Sequence, residues 1–245
     1  MAKKIKKSIK LKYSRILLKL SGEALQGNQE YGISPNVLEY VAAEIKELVS
    51  LGVQVAVVIG GGNIFRGLAG SSKGMDRNLA DHMGILATMI NSVALCECLL
   101  RNNTPAEVYS SMNMDEIAER MSAKKVKESL NAGKVAILGG GTGHPYFTTD
   151  TTAALRALEI GAGIMVKATK VDGIYDKDPV KYKDAVKFDE ITYSEVLKRK
   201  LQVMDLTAVS LSMDNKLPIL VIDMNKKGNI KNAALGKKVG TTVIL

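Results

Sequence analysis

Short apolar segments alternate with longer amphipathic segments along this chain. The first apolar run lies in RILLKLSGEAL and predicts a strand that ends at Ser-Gly, with Lys19 among its last residues. The next segment, SPNVLEYVAAEIKELVSLG, has a serine cap, a proline at its first helical position, apolar residues at helical spacing and a closing glycine. These features together predict a helix.

The same alternation continues to the end of the chain. Further strands are predicted at VQVAVVI, AEVYSS, KVAIL, IMVKAT, PILVID and TTVIL. Helices are predicted at RNLADHMGILATMINSVALCECLLRN, MDEIAERMSAKKVKESLNAG, TYSEVLKRK, MDLTAVSLSMDNK and NIKNAALG, and GGGTGHPYFTTDTTAALRALEIG is a glycine loop that runs into a helix. Apolar strands separated by amphipathic helices predict an α/β fold with a mostly parallel sheet covered on both faces.

The composition favours one domain over two. Hydrophobic residues make up 46% of the 245 residues, which is enough for a sizeable core. No linker-like change in composition and no repeat of solenoid period interrupts the sequence. We therefore expect a basic tail at residues 1–12 and a single domain at residues 13–245.

The formal net charge of +9 comes from the N-terminus. The first 20 residues carry eight of the 34 Lys and Arg residues and none of the 25 Asp and Glu residues, so the rest of the chain is nearly neutral. Such a tail is typical of a solvated N-terminus, and an RNA-binding or membrane-binding arm is the alternative.

The two cysteines and the apolar runs indicate the compartment. Cys96 and Cys98 are too close for an ordinary disulfide and too few for a structural zinc site, so we expect reduced thiols. No apolar run reaches the roughly 18 residues of a membrane span, and no signal-type apolar region follows the basic N-terminus. These features predict a soluble, cytoplasmic protein that does not contact a membrane.

Two glycine-rich loops each follow a predicted strand, in VAVVIGGGNIFRG and in VAILGGGTGHPYFTTD. Glycine allows positive φ and close approach of the backbone to a ligand. Loops at the carboxyl ends of parallel strands, followed by a helix N-terminus, bind anions. Neither loop is a Walker A motif or a G-x-G-x-x-G dinucleotide motif. The pair suggests two phosphorylated groups, with tight strand-to-helix turns as the alternative.

Charged residues near these loops favour the phosphate interpretation. Lys19 lies at the end of the first strand, Arg66 offers a planar fork suited to phosphate, and Asp81 lies on the helix after the first loop. Each of the three is also common as a solvated surface residue. Because all three lie near predicted strand ends, a phosphate site explains them better than three unrelated surface positions.

Six segments together resemble the bacterial UMP kinases (uridylate kinases) of the amino acid kinase superfamily. They are RILLKLSGEAL, VVIGGGNIFRG, DHMGILATMIN, GTGHPYFTTD, KATKVDGIYDKDP and VMDLTA, and the resemblance runs from about Arg15 to the C-terminus. It implies a three-layer α/β/α sandwich, a homohexamer, and transfer of the γ-phosphoryl group of ATP to UMP with Mg²⁺ in pyrimidine nucleotide biosynthesis. It also implies an acceptor-binding half up to about residue 160 and an ATP-binding half after it.

The resemblance assigns one set of residues to ATP and to the transfer step. Lys19 is similar to the cation nearest the transferring group, and Arg66 faces ATP or the gap between the two nucleotides. Asp150 and Asp205 resemble residues that orient lysine and metal, with a helix cap as the alternative for each. The implied ATP site comprises Lys19, Leu20, Ser21, Gly22, Gly62, Arg66, Thr169, Tyr175 and Asp178.

A second set of residues resembles the UMP site. Gly61 is similar to a residue of the phosphate site, and Asp81 to the residue that accepts hydrogen bonds from the ribose hydroxyls. The loop that would enclose uracil and its phosphate comprises Thr142, Gly143, His144, Pro145, Tyr146, Phe147, Thr148 and Thr149. The family loop commonly reads Gly-Asn-Pro-Phe-Phe, so His144 and Tyr146 depart from it.

The segment GNQEYG resembles the family's effector segment for GTP. It comprises Gly27, Asn28, Gln29, Glu30, Tyr31 and Gly32. Many relatives are also inhibited by UTP. The residues themselves leave the response to GTP and to UTP open.

Two other functions compete with UMP phosphorylation. An acylphosphate-forming kinase of the same fold, acting on a small carboxylate or carbamate, would have no use for Asp81 or for the full GTGHPYFTTD loop. A nucleotide-sensing regulator that binds nucleic acid would use the basic tail. Because the body of the chain is electrically balanced, nucleic acid is the less favoured partner.

Overall fold

The computed structural model describes residues 11–65, 74–201 and 203–245, and nine strands within these ranges form one sheet. They are β1 (Arg15–Leu20), β2 (Gln54–Ile59), β3 (Ala106–Ser110), β4 (Glu119–Arg120), β5 (Val135–Gly139), β6 (Ile164–Thr169), β7 (Glu190–Thr192), β8 (Ile219–Asp223) and β9 (Gly240–Ile244). Their order is β4-β3-β5-β2-β1-β6-β8-β9-β7. Among these strands β8 and β9 are antiparallel and the other neighbours are parallel, which confirms the predicted mostly parallel sheet.

Eight helices in the same described ranges connect the strands. They are α1 (Gly22–Leu25), α2 (Pro35–Ser50), α3 (Arg77–Arg101), α4 (Ala123–Asn131), α5 (Thr149–Ile160), α6 (Tyr193–Lys198), α7 (Leu206–Asp214) and α8 (Asn229–Ala234). As predicted, Ser34 is the cap of α2 and Pro35 opens its first turn. Proline is well placed there because its missing N–H would have no partner within the helix.

Alternate side chains of β1 enter two separate apolar cores. Ile16, Leu18 and Leu20 belong to a core shared with α2, α3 and α8. Leu17 belongs to a core shared with α4, α5 and α7 on the opposite face. Since side chains alternate along a strand, Lys19 points to the same face as Leu17. The structure is the predicted three-layer α/β/α sandwich.

The prediction of one helix over residues 114–133 is wrong in its first half. The structure has turns there, followed by the two-residue strand β4, and α4 begins only at Ala123. The N–H of Ala118 donates to the carbonyl oxygen of Met114 (3.0 Å), which closes one turn, but the N–H of Met121 donates to the carbonyl oxygen of Ser110 (2.8 Å) in β3, so the helix does not continue. The short elements β7 and α1 were also not predicted, because three or four residues are too few to show a period.

Helix α3 is the longest helix in the described ranges. By length and composition it could cross a membrane, contrary to the prediction that no apolar run is long enough, but 56% of its most apolar 18-residue stretch is buried inside the fold. Leu95 and Leu99 belong to the core, as expected for a core helix. Cys96 and Cys98 on this helix are free and buried, as predicted, and burial raises the pKa of each thiol.

Candidate active site

Lys19 and Lys167 lie side by side on the adjacent strands β1 and β6, where they are paired in register. The carboxylate of Asp150, in the first turn of α5, contacts both: Oδ1 lies 2.9 Å from Lys19 Nζ, and Oδ2 lies 2.6 Å from Lys167 Nζ. Lys167 Nζ also donates to the carbonyl oxygen of Val203 (2.5 Å). We call Lys19, Asp150 and Lys167 the lysine–aspartate cluster; their side chains are 10%, 15% and 13% exposed.

Burial and charge act against each other in this cluster. Burial alone would raise the pKa of Asp150, but the ammonium groups of Lys19 and Lys167 hold it below its ordinary value. Burial lowers the pKa of Lys167; Asp150 opposes the shift and the charge of Lys19 adds to it. One carboxylate therefore holds two ammonium groups close together, and the negative charge of Asp205 acts on Lys167 as well.

Lys167 is the candidate functional residue that sequence reasoning missed. The segment IMVKAT was recognised as a strand, but its lysine was not singled out. Its neighbours Val166 and Ala168 are fully buried. A strand covered on both faces has no place for an isolated charge, so a lysine within such a strand indicates a charged partner. That signal was present in the sequence, although the partner could not be identified from it.

The first turn of α5, which carries Asp150, is held by further polar contacts. Thr148 is the cap, and its Oγ1 accepts hydrogen bonds from the N–H groups of Asp150 (3.1 Å) and Thr151 (3.2 Å). Asp205 accepts hydrogen bonds from the hydroxyls of Thr148 and Thr151 and from the N–H of Ala208 (3.0 Å). Asp205 is thus the cap of α7 and also braces α5, while its proposed contact with a metal stays a prediction.

The first glycine loop, residues 60–62, packs directly against α3. A Cβ atom on Gly61 would lie 2.7 Å from the Cβ of Ala87 and 2.7 Å from the carbonyl oxygen of Gly84. Real side chains do not approach this closely, so Gly61 is required by packing whatever ligand the loop binds. The close contact fixes the loop on the helix that carries Asp81.

The second glycine loop follows β5 and contains three glycines with left-handed backbone, Gly140, Gly141 and Gly143 (φ 75°, 58° and 84°). The N–H of Gly140 donates to Oγ1 of Thr88 on α3 (3.0 Å). The carbonyl oxygen of Gly141 accepts a hydrogen bond from Nη2 of Arg156 (3.2 Å), whose side chain is 8% exposed. Helix α3 therefore contacts both glycine loops.

A cavity of about 490 Å³ lies between the two loops. The residues from the predicted nucleotide sets that line it are Gly61, Gly62, Asp81, Thr142, His144, Phe147, Thr148 and Thr149. Gly143, Pro145 and Tyr146 belong to the same loop without lining the cavity. Its volume falls within the ~300–1,000 Å³ that is typical of small-molecule sites.

Asp81 faces this cavity from the second turn of α3. Its Oδ2 accepts hydrogen bonds from Nε of Arg77 (2.8 Å) and from the backbone N–H of Tyr146 (2.9 Å). The guanidinium of Arg77 lies 5.4 Å from the centre of the Tyr146 ring. Tyr146 has a φ of 69°, which is uncommon for a residue other than glycine. Asp81 therefore connects two walls of the cavity.

A first group of residues predicted to bind ATP lies around the end of β1. Leu20 ends β1 and is fully buried, so only its backbone can contact a ligand. Ser21 is the cap of α1, and its Oγ accepts a hydrogen bond from the N–H of Ala24 (3.2 Å). Among the described residues, those that line the cavity do not include Lys19, Leu20, Ser21 or Gly22.

A second group of predicted ATP residues follows β6, the neighbour of β1. Thr169 ends this strand, and Tyr175 and Asp178 lie in the loop after it. The hydroxyl of Tyr175 donates to Oδ1 of Asp172 (2.6 Å). None of these three residues lines the cavity. Arg66 lies outside the described residues.

Comparison with known proteins agrees with the fold. The model of the "Amino acid kinase family" matches residues 14–226. The structure of UMP kinase from Bacillus anthracis has a TM-score of 0.92 and 37% identity, over 95% of this chain and 96% of the other. The structure of UMP kinase from Ureaplasma parvum has a TM-score of 0.90 and 36% identity, over 95% of this chain and 99% of the other. The structure of uridylate kinase from Archaeoglobus fulgidus has a TM-score of 0.72 and 28% identity, over 93% of this chain and 99% of the other. With the fold, the two glycine loops and these similarities in agreement, the chain belongs to the amino acid kinase family.

Proposed function

We propose that this chain transfers the γ-phosphoryl group of ATP to UMP and so forms UDP and ADP. The observation that carries the proposal is the position of the lysine–aspartate cluster beside the cavity. Thr149 lines the cavity, and the next residue, Asp150, contacts Lys19 and Lys167. An acceptor in the cavity and a phosphate donor at the end of β1 would therefore meet at two cations. The similar structures named as UMP kinases support UMP as the acceptor.

The reaction needs little covalent chemistry from the protein. An oxygen of the UMP phosphate, already ionised at neutral pH, attacks the γ-phosphorus of ATP in line. As that bond forms, the bond from the γ-phosphorus to the β–γ bridging oxygen breaks, and its electron pair leaves with ADP. Positioning and charge stabilisation are then the main contributions of the protein. In this proposal Lys19 and Lys167 supply positive charge, and Asp150 keeps both in place.

Mg²⁺ enters with ATP in this proposal. Within the described ranges there is no cluster of three or more His, Cys, Asp or Glu side chains that could hold a metal ion. Mg²⁺ is often held by substrate phosphates, water and only one or two carboxylates. Asp205 is the carboxylate that would approach it, since Asp150 is paired with two lysines. When bound, the ion would offset charge on the phosphoryl oxygens.

Asp81 would recognise the ribose of UMP. An ionised carboxylate only accepts hydrogen bonds, and the ribose offers two neighbouring hydroxyl donors. The loop from Thr142 to Thr149 would enclose the uracil and its phosphate, since most of this loop lines the cavity with Asp81. His144 and Tyr146 would then give this chain its own version of the base-binding segment.

Self-association into a homohexamer fits an exposed apolar stripe on α3. Its members are Leu79, Met83, Leu86, Ile90, Val93 and Leu100, all at least 39% exposed. From Leu79 to Val93 they recur every three or four residues, and Leu100 follows seven residues later, the spacing with which one helix packs along another. We propose that a second copy of the chain covers this stripe.

Effector binding and location complete the proposal. The segment 27–32 would bind GTP, with UTP as an inhibitor, and Tyr31 in this segment is 79% exposed. Gly32 exchanges two hydrogen bonds with Asn63, next to the first glycine loop, so a ligand on this segment would have a direct connection to the site. The substrates are those of the cytoplasm, where we expect the protein to act in pyrimidine nucleotide synthesis.

A coupled assay of ATP consumption tests the proposal. The acceptors to compare are UMP, CMP, dUMP, aspartate, acetylglutamate and carbamate, each with Mg²⁺. We expect the highest kcat/KM with UMP. A preference for one of the three carboxylate or carbamate acceptors would contradict the proposal and identify an acylphosphate-forming kinase. Absence of kinase activity, together with salt-dependent nucleic-acid binding that requires residues 1–12, would instead identify a regulator.

A further inference from the structure

We infer that Asn63 and Asn91 form a positioning pair that sets the distance between the supports of the two nucleotide phosphates. The inference rests on the proposed function. Asn63 directly follows the first glycine loop, and Asn91 lies on α3. Their exposed fractions are 4% and 0%, so both amides are enclosed by the protein. Buried amides are costly unless they are hydrogen-bonded, and the pattern of their bonds indicates what they hold.

The two amides satisfy each other. Asn91 Nδ2 donates to Asn63 Oδ1 (2.7 Å), and Asn63 Nδ2 donates to Asn91 Oδ1 (3.0 Å). Each Nδ2 also donates to a backbone carbonyl oxygen: Asn91 to Gly60 (2.7 Å) and Asn63 to Gly32 (2.8 Å). An amide group has two N–H donors, so all four donors of the pair are used. The pair thereby joins α3, the first glycine loop and the segment at Gly32.

The turn after β1 rests on the same pair. A Cβ atom on Gly22 would lie 2.5 Å from Asn63 Oδ1, 2.6 Å from the carbonyl oxygen of Gly60 and 2.7 Å from the N of Gly62. Gly22 belongs to the turn proposed to hold the ATP phosphates, and Gly61 lies in the loop proposed to hold the UMP phosphate. The amide pair therefore lies where the supports of the two phosphates touch.

An apolar pair of similar size could fill this space, so packing alone does not account for two amides. Such an apolar pair would leave the carbonyl oxygens of Gly60 and Gly32 without these amide donors, and the first glycine loop could then shift. A displacement of about 1 Å can lower a rate by roughly 100-fold when two groups must meet in line. The pair should thus matter most when both nucleotides are bound together, and least for either nucleotide alone.

A linked dinucleotide tests this directly. Uridine and adenosine joined 5′ to 5′ by a polyphosphate chain occupy both sites, and the gain over the separate nucleotides depends on the distance between the sites. Calorimetric titration would give Kd for UMP, for ADP and for the linked dinucleotide with the parent chain, Asn91→Leu and Asn91→Ser. We expect both variants to bind UMP and ADP within about threefold of the parent and the linked dinucleotide about tenfold more weakly. The kcat should fall more than either KM changes.

Asn91→Ser keeps one hydroxyl donor and adds no volume, so it serves if Asn91→Leu does not fold. The matched control is Ser129→Ala, which removes the hydrogen bond from the buried Ser129 Oγ to Glu107 Oε2 (2.7 Å), on the face of the sheet opposite to α3. It should leave all three Kd values unchanged.

Two results would overturn the inference: equal weakening of all three ligands by both variants, or unchanged binding of the linked dinucleotide. Failure of the proposed function is visible separately, since the parent chain would then neither phosphorylate UMP nor bind the linked dinucleotide more tightly than UMP or ADP.

Discussion

Replacing Asp150 by asparagine should lower the stability of the protein, and the loss should shrink as the pH rises. Asparagine keeps the shape of the side chain but removes the negative charge that lies between Lys19 and Lys167. Two ammonium groups on neighbouring strands would then face each other without that charge. The substitution therefore tests whether the lysine–aspartate cluster is held together electrostatically.

The distances set the magnitude. Asp150 lies 2.9 Å and 2.6 Å from the two ammonium nitrogens, and none of the three side chains is more than 15% exposed. Two unit charges 4 Å apart interact by about 4 kcal/mol at an effective dielectric constant of about 20. Removal of one partner from a buried ion pair typically costs about 3–5 kcal/mol. We expect Asp150→Asn to lose about 3–5 kcal/mol of unfolding free energy at neutral pH, a large part of the total for most domains.

The sign of the pH dependence follows from proton binding. Burial and the charge of Lys19 lower the pKa of Lys167, and without the carboxylate of Asp150 nothing from that side chain opposes this shift below the value in the unfolded chain. Between the two values the unfolded state binds more protons, so stability rises with pH. In the parent, burial also lowers the pKa of Lys167, but Asp150 opposes that shift, so the rise is smaller. The lowered pKa of Asp150 stabilises the parent at any pH above the pKa that this carboxyl has in the unfolded chain. This contribution is lost as the pH falls through the lower pKa of the folded protein, which is outside the range tested here.

Urea unfolding at several values between about pH 7 and 10 measures the difference, provided that the slope with urea is the same for both proteins. The control is Asp184→Asn, because Asp184 pairs with Lys177 at 2.6 Å but is 78% exposed. Exposed ion pairs contribute little, so this variant should resemble the parent. A deficit for Asp150→Asn that stays constant over this pH range, or one no larger than that of the control, would refute the reasoning.

Three further predictions concern the reaction. Lys19→Met should lower kcat by about 100-fold or more in the coupled assay, as expected for a cation at the transferring group, and a normal kcat with only a raised KM would exclude that role. Because burial lowers the pKa of Lys167, kcat should decline at alkaline pH before an ordinary lysine titrates; Lys167→Arg, if active, should keep its rate to higher pH. The parent should prefer UMP over dUMP by roughly 10- to 150-fold, the value of one hydrogen bond to a charged group. Asp81→Ala should lose most of that preference, and a variant that separates the two nucleotides as well as the parent does would show that the ribose is recognised elsewhere.

The sequence alone indicated the fold class and most of the helices and strands, because the relevant signals are local. Alternation of apolar strands and amphipathic helices predicted the mostly parallel sheet, and the cap at Ser34 and Pro35 predicted the start of α2. The position of each glycine loop after a predicted strand was enough to expect both loops at the carboxyl ends of parallel strands. The structure has them there, after the neighbouring strands β2 and β5, with the cavity between them.

The partners of each charged or polar group in the site depended on the tertiary structure. Lys19 and Lys167 meet because β6 pairs with β1 in one particular register, and the first turn of α5 brings Asp150 into contact with both. Asn63 and Asn91 meet because close packing at Gly61 holds the first glycine loop on α3. Strand order, register and the approach of a loop to a helix are determined together by many weak contacts between residues far apart in the chain. A local pattern can therefore predict that a lysine or an asparagine needs a partner, while the folded chain decides which partner it has.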